Sequence, residues 1–585
     1  MRFFRRLSSP LLPQFSLRAP LAVALTLSTL LTAVPTAQAE AQETGLGPYL
    51  ATRMADFQGD FNATLDYGTR AIAQNPENEG ILEGVTIAQL VLNPLPDATP
   101  YARRLEALNA DNRVARLVLL GDALGREDWD SALEMLDAGV SVGSLMTNML
   151  RAWAELGRGR MSQALSIYDE LAKDEDTAGF ALFQKALATA LVGDFETADA
   201  LLRDQLAEFQ LNRRGVVAYA QILSQLEKYD EAIALIEEAT GGVLDDELTA
   251  MVDTLKSATP LPYTAISGAR DGAAELFYMI ADNLSLDASH STVLIYARIA
   301  EHLAPTLHAA TLLTAQLHEE LGQYDLAVAA YARIPQDSPI FLQAALGRAL
   351  ALNNNDRADE AIGELRALSG QFPERARIPT LLGEFLSRQD RHEEARVAFD
   401  HAISLFQGEV STQWRVYFQR AIVLSKLDDW PAAEADFRKS LDLSPNQPNV
   451  LNYLGYSLVE RREKLDEALG MIERAVAERP DSGYITDSLG WVYYRLGRYD
   501  EAVKQMERAV ELLPIDPILN DHLGDTYWAV GRKREAEFQW KRSLSFVTDD
   551  TDLEELNPDR IRRKLEVGLD QVLEEEGAAP LQAGN

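Results

Sequence analysis

The sequence has no cysteine among its 585 residues. That absence excludes disulfides, thiolate metal sites, cysteine nucleophiles and a lipid-modified N-terminal cysteine together. Basic residues are also in short supply: 55 lysines and arginines stand against 90 aspartates and glutamates, a formal charge of −35. Nucleic acid and anionic lipid surfaces are poor partners for such a chain, because phosphate binding is driven by Lys and Arg releasing counterions. Protein or peptide partners, basic or neutral, fit better. Beyond the N-terminus no apolar run approaches the ~20 residues that span a bilayer, so no transmembrane segment is expected after signal removal. Histidines number seven and are scattered. His302 and His308 lack helical ligand spacing, and His318-Glu319-Glu320 and His392-Glu393-Glu394 each lack the second histidine of a zinc helix. The stretch GLGPYL at Gly45 lacks the third glycine of a dinucleotide loop. No catalytic residue, metal or cofactor is therefore expected.

What the chain does have begins with an export signal. Arg2, Arg5, Arg6 and Arg18 precede an apolar stretch from Leu21 to Val34, and Ala37-Gln38-Ala39 supplies small residues for cleavage before Glu40. Residues 1–39 read as a signal peptide, with a retained anchor as the alternative. The style of the signal points to the bacterial periplasm.

A period follows. Gly490 and Gly524, Ala502 and Ala536, and Pro480 and Pro514 are each 34 residues apart. Walking backward from Ala536, one small residue recurs at Ala502, Ala468, Ala433, Ala395, Ala361 and Ala327, then at Val293, Ala232, Ala198, Ala164, Ala132, Ala98 and Thr64. An aromatic stands three positions before it as Tyr499, Trp430, Tyr324, Tyr229, Phe195 and Trp129. About fourteen units result. The best of them supplies Leu489-Gly490, Tyr493, Ala502, Met506, Ala509 and Pro514, and the next supplies Leu523-Gly524, Tyr527, Ala536 and Trp540. This pattern resembles the tetratricopeptide repeat family, whose unit is a helix-turn-helix of about 34 residues. The match is strong from Ile378 to Ser545 and degenerate before Ala200.

The spacing carries its own physical reading. Leu489, Tyr493 and Leu496 lie on one helix face and Ala502, Met506 and Ala509 on the next, so two short helices face each other. Gly490 and Ala502 are small where the helices cross, and Tyr493 and Met506 fill the space beside the crossing. Gly497 suits the left-handed residue that ends a helix, Asp500 is expected to cap the next, and Pro514 to stop it. No unit buries its apolar face alone, so the expected fold is an all-α solenoid, a superhelix of stacked hairpins. Five segments follow: the signal, a degenerate array over 40–242, an insert over 243–272, a second array over 273–550, and a capping helix with a tail over 551–585. The insert reads equally as a joint between two arrays or as a decorated turn in one superhelix. In the last segment Asn557-Pro558 opens a helix on which Ile561, Leu565, Leu569 and Leu573 cover the end of the stack. From Glu574 onward disorder is expected.

Positions on the first helix of each late unit that face neither the paired helix nor the crossing are Asn452, Tyr453 and Tyr456; Asp487, Trp491 and Tyr494; and Asp521, His522, Asp525 and Trp528. The family resemblance implies that they line a concave groove where peptides or helices of partner proteins bind. Aromatics give contact area at low entropy cost and amides can bond an extended backbone, while the carboxylates would favour Lys or Arg on the ligand. The expected function is thus a non-catalytic scaffold of the cell envelope. Two alternatives share the surface: an assembly or polysaccharide-export accessory factor contacting glycan through Trp491 and Trp528, and a groove-based glycan hydrolase using Asp487 and Asp521.

Overall fold

The computed structural model describes residues 46–138, 143–203, 212–242, 244–548, 551, 556–578 and 581. The signal reading of residues 1–39 lies outside them. Among the described residues there are thirty-one α-helices, and none is long and apolar enough to cross a membrane. Twenty-eight of the helices form fourteen hairpins, each second helix carrying the repeating small residue in its first turn. The twelve recurrent alanines and Val293 have no exposed surface, and Thr64 is 1% exposed. The aromatics Trp129, Phe195, Tyr229, Tyr324, Trp430 and Tyr499 are each the first residue of their helix. The chain is the all-α solenoid expected from its period.

The close approach at each crossing is visible at the two best units. A Cβ added to Gly490 would lie 2.9 Å from Met506 Cγ, and one added to Gly524 would lie 2.4 Å from the Trp540 ring. Gly497 takes the left-handed conformation, with φ of 74°. Asp500, by contrast, does not cap its helix: the N-cap of Tyr499–Leu512 is Arg498, and Asp500 sits one residue inside, in the first turn, where the helix dipole favours it. Where an aspartate stands ahead of the aromatic it does cap, as Asp128 accepts from Ser131 N–H and Asp429 from Ala432 N–H.

The described residues fall into two compact units, one through Glu364 and one from Leu365 onward. The insert lies inside the first. It contains the helix Asp246–Lys256 and an extended connector held by side chains of the helix Arg213–Gln225. Leu261 N–H donates to Ser224 Oγ (2.7 Å), Thr264 N–H donates to Gln221 Oε1 (2.9 Å), and Gln225 Nε2 donates to the Leu261 carbonyl (2.5 Å). The connector delivers the helices Ala269–Leu284 and His290–Leu303 against the first helices of earlier hairpins, Glu79–Leu92, Arg113–Gly125 and Ser144–Gly157. Trp153 packs over Gly272, and Arg298 donates to the carbonyls of Leu90 (3.1 Å) and Asn93 (3.0 Å). Gln323 joins His318 to the carbonyl of Gly59 in the first turn of the unit. Two later helices of the first unit therefore pack across the first helices of its own earlier hairpins.

That burial has a titratable cost. Burial holds the imidazoles of His318, His302 and His308 below their ordinary value of 6.5. Above that pH both folded and unfolded chains carry them neutral; as the pH falls below it the unfolded chain takes up protons first, so stability is lost. The melting temperature is expected to fall more between about pH 7.5 and about pH 5.5 in the wild type than in His318→Gln, which keeps a donor to Gln323 but no titratable ring. Equal losses in calorimetry of the two proteins would refute the assignment.

In the second unit the end of the stack is closed by two helices rather than the single one expected. Asn557 caps Pro558–Val567 by accepting from Arg560 N–H (3.0 Å), and Gly568 (φ 86°) then turns the chain into Leu569–Glu575. A Cβ at Gly568 would meet the Trp528 ring at 2.5 Å, so with its positive φ the position suits only glycine. Ile561 and Leu569 are fully buried, with Leu565 and Leu573 packed beside them. Glu574 and Glu575 are helical, and Glu575 bonds Arg563 (2.8 Å).

Candidate partner-binding face

The face on which successive first helices of the second unit adjoin is built from Pro448–Glu460, Gly483–Arg495 and Pro517–Ala529. Their register is fixed from behind. Leu489, Met506, Ala509 and Leu523 are buried, and Tyr493 and Tyr527 turn their hydroxyls outward to Glu473 (3.0 Å) and Glu507 (2.8 Å). With those side chains committed to the hairpin, each first helix presents its remaining face.

Not every residue assigned to that face from the sequence is open on it. Tyr453 is fully buried, between Phe437 (ring centres 5.0 Å apart) and Phe418 (6.0 Å). Asn452 is also fully buried, and neither its amide nitrogen nor its oxygen has a hydrogen-bond partner. Phe418 and Phe437 enclose Tyr453, while Asn452 stands three residues before Gly455, the register position of the equally buried Asp487 before Gly490. Tyr456 stays half-buried.

The carboxylates are answered from within the chain. Asp487 has no exposed surface, and His522 Nδ1 donates to its two oxygens at 3.0 and 3.2 Å. Lys564, from the first closing helix, has a fully buried side chain whose ammonium lies 2.8 and 2.9 Å from the oxygens of Asp521 and 2.6 Å from Asp525. It also sits 5.6 Å from the Trp540 ring centre, and Trp540 Nε1 donates to Asp525 (2.9 Å). Burial raises the proton affinity of Asp521 and Lys564 pulls it back. Trp528 is bound too: its Nε1 donates to Asp570 (2.9 Å) and Lys533 lies 4.4 Å over its ring. The far end of the face is thus filled by the closing helices, a covering that no local signal in the repeats announces.

What stays half-exposed is an aromatic stack. Trp491 lies parallel to Tyr494 (4.9 Å, 13°) and to His522 (4.3 Å, 19°), and its Nε1 donates to Glu460 (3.1 Å). The stack is three aromatic rings, each partly exposed, with a carboxylate at its rim.

Tetratricopeptide repeat family models match residues 487–516, residues 312–369 and 418–483, and residues 215–241. The chain is 29% identical over 184 residues to TPR repeat-containing protein PA4667 of Pseudomonas aeruginosa, covering 31% of this chain and 30% of that protein. It is 29% identical over 177 residues to human tetratricopeptide repeat protein 13, covering 29% of this chain and 20% of that one. The chain therefore spans less than a third of either relative. Among solved structures it is similar to a chain of the APC/C hetero-tetramer Cut9-Hcn1 (TM-score 0.36, 16% identity, 90% of this chain and 97% of that chain). It is also similar to a tetratricopeptide repeat protein from Parabacteroides merdae (TM-score 0.36, 14% identity, 45% and 98%).

Proposed function

The chain belongs to the tetratricopeptide repeat family, and from that premise we propose that it is a non-catalytic scaffold of the cell envelope, exported to the bacterial periplasm, that binds protein partners on the second unit. The observation that carries the site is the half-exposed stack of Trp491, Tyr494 and His522. Such a surface supplies large contact area with little side-chain entropy to lose. The first unit is the weaker candidate, since two of its own helices pack across the first helices of its earlier hairpins. Export rests on the basic, apolar and small-residue order of residues 1–39.

The hydrolase reading loses its support. Asp487 is engaged by His522 and Asp521 by the Lys564 ammonium, so neither is placed to deliver a proton or attack a sugar. The glycan reading is weakened in the same way, because Trp528 is engaged by Asp570 and Lys533.

Pull-down from an envelope extract on the full chain is expected to recover a defined set of proteins. The double variant Trp491→Ala, Tyr494→Ala is expected to lose them by about tenfold or more, the effect of removing a central aromatic anchor. Undiminished recovery on a variant that melts like the wild type would move the site off this face.

A further inference from the structure

The insert that breaks the repeat also walls a cavity. In the first unit a space of about 560 Å³ lies between the start of the helix Arg213–Gln225, the connector from Tyr263 to Ser267, and the turns that open the helices His308–Glu320 and Phe341–Asn354. Its volume falls within the roughly 300 to 1,000 Å³ of small-molecule sites. The connector belongs to no hairpin, so the cavity is a product of the insert and not of the period.

Part of the charge at its wall is spent within the chain. Arg214 gives Nε (3.1 Å) and Nη2 to the buried carboxylate of Glu275. Arg213 gives Nε (3.1 Å) and Nη2 (2.8 Å) to Asp245, and the same Nη2 is 2.5 Å from Glu247. Asp271 accepts from the N–H and the hydroxyl of Ser267. These pairings fix each guanidinium along one edge and leave Nη1 of both, with its two N–H groups, without an acceptor among the described residues. On the connector Thr264 N–H is bound to Gln221 and Ser267 N–H to Asp271, whereas the N–H groups of Ala265 and Ile266 between them have no partner among the described residues. Ile266 is buried, and a buried donor is costly unless something in the cavity answers it.

The turn before Phe341–Asn354 brings a carboxylate that nothing answers. Asp337 lines the cavity and has no hydrogen bond or ion pair among the described residues. Its place is fixed by the next residue, because Ser338 is buried and its Oγ lies 2.8 Å from His308 Nδ1. Burial keeps the His308 ring neutral, while the Asp337 charge favours its protonation and the Arg214 charge opposes it, so both charges act on the same imidazole. Ile266, Leu307 and Ile340 add apolar wall. Two guanidinium groups stand against the four carboxylates Glu247, Asp271, Glu275 and Asp337, so a simple anion meets net repulsion. A ligand that brings its own ammonium group does not.

We propose that this cavity binds a free α-amino acid with an apolar side chain, its carboxylate on the Nη1 edges of Arg213 and Arg214, its ammonium group on Asp337, and its side chain against Ile266, Leu307 and Ile340. A guanidinium already held along one edge is preorganised, so the ligand gains a charge-assisted hydrogen bond without freezing a long side chain. The site lies in the first unit, apart from the aromatic stack, and stands whether or not that stack binds protein.

Isothermal titration of the full-length mature protein at about 0.15 M salt tests this with L-leucine, L-isoleucine and L-phenylalanine, each in turn. Saturable binding of at least one, with Kd below about 1 mM, is expected. The counterparts of the tightest binder that lack one charged group, for leucine 4-methylpentanoate and 3-methylbutylamine, are expected to bind about tenfold or more weakly, because each leaves one side of the cavity unanswered. Asp337→Asn changes an exposed residue that holds nothing else in place. It is expected to weaken the amino acid about tenfold or more without weakening the carboxylate-only counterpart, which no longer faces the repelling charge. A merely structural role for the turn would weaken both ligands together. That parallel loss overturns the proposal, as does an unchanged amino-acid affinity in Asp337→Asn. Failure of all three amino acids to bind the wild type, or counterparts that bind as tightly as the amino acid, overturns it equally.

Discussion

Ala502→Glu is expected to lower the unfolding free energy by roughly 2 to 4 kcal/mol, through overpacking and a buried charge. Ala502 has no exposed surface and lies where its helix crosses the one that bears Gly490. The space that a side chain on Gly490 would occupy is already taken by Met506 at 2.9 Å, so the crossing has no slack to accept four more heavy atoms. Ala502→Gly is the control, costing about 1 kcal/mol through helix propensity without steric conflict. In a solenoid each hairpin is stabilised by its neighbours, so a broken crossing weakens the interfaces on both sides of it. Urea unfolding followed by tryptophan fluorescence, which the second unit supplies at Trp414, Trp430, Trp491, Trp528 and Trp540, should show an early transition. Coincident transitions for Ala502→Glu and wild type would mean that the crossing is not at this residue.

The same small residue explains how much of the fold is legible in the sequence. An alanine that must touch a facing helix cannot drift in position, so its recurrence from Thr64 to Ala536 marks every one of the fourteen hairpins even where the aromatics and glycines have been lost. Helix starts are legible for a related reason: the aromatic three residues earlier is the first helical residue in every hairpin that has one. What the period does not encode is contact at long sequence separation. The insert between Ala232 and Val293 is visible as a break in register, but that Arg298 reaches the carbonyls of Leu90 and Asn93 depends on the direction in which the connector leaves Gln221 and Ser224. Of the candidate face, the register is legible and the occupancy is not. Asp521 and Asp525 read as open carboxylates until the closing helix places Lys564 between them, and Tyr453 reads as a groove aromatic until Phe418 and Phe437 enclose it.

Lys564→Met should destabilise the second unit by roughly 3 to 5 kcal/mol, the cost of removing one partner from a buried ionic cluster. Methionine fills a comparable length against Trp540 but leaves Asp521 and Asp525 without their shared ammonium; the nearest remaining cation is Arg560, whose Nη1 is 3.6 Å from Asp525. Adding Asp521→Asn and Asp525→Asn should return most of the loss, since the asparagine oxygen at 525 can still accept from Trp540 Nε1 and no buried charge is left unpaired. The pH dependence has a definite sign. Burial already raises the pKa of Asp521 above that of the unfolded chain, and losing Lys564 removes the charge that opposes this rise. A carboxyl whose folded pKa is raised binds its proton in the folded state first, so the folded form gains as the pH falls through that value. The deficit of Lys564→Met relative to wild type should therefore be largest near neutral pH and shrink on acidification, whereas a deficit caused only by lost packing would not follow that course. Urea titrations of the two proteins across the pH range separate these causes. An unfolding midpoint for Lys564→Met equal to wild type at neutral pH would mean that the closing helix does not seal the acidic end of the face, and that Asp521 and Asp525 are open to a basic ligand after all.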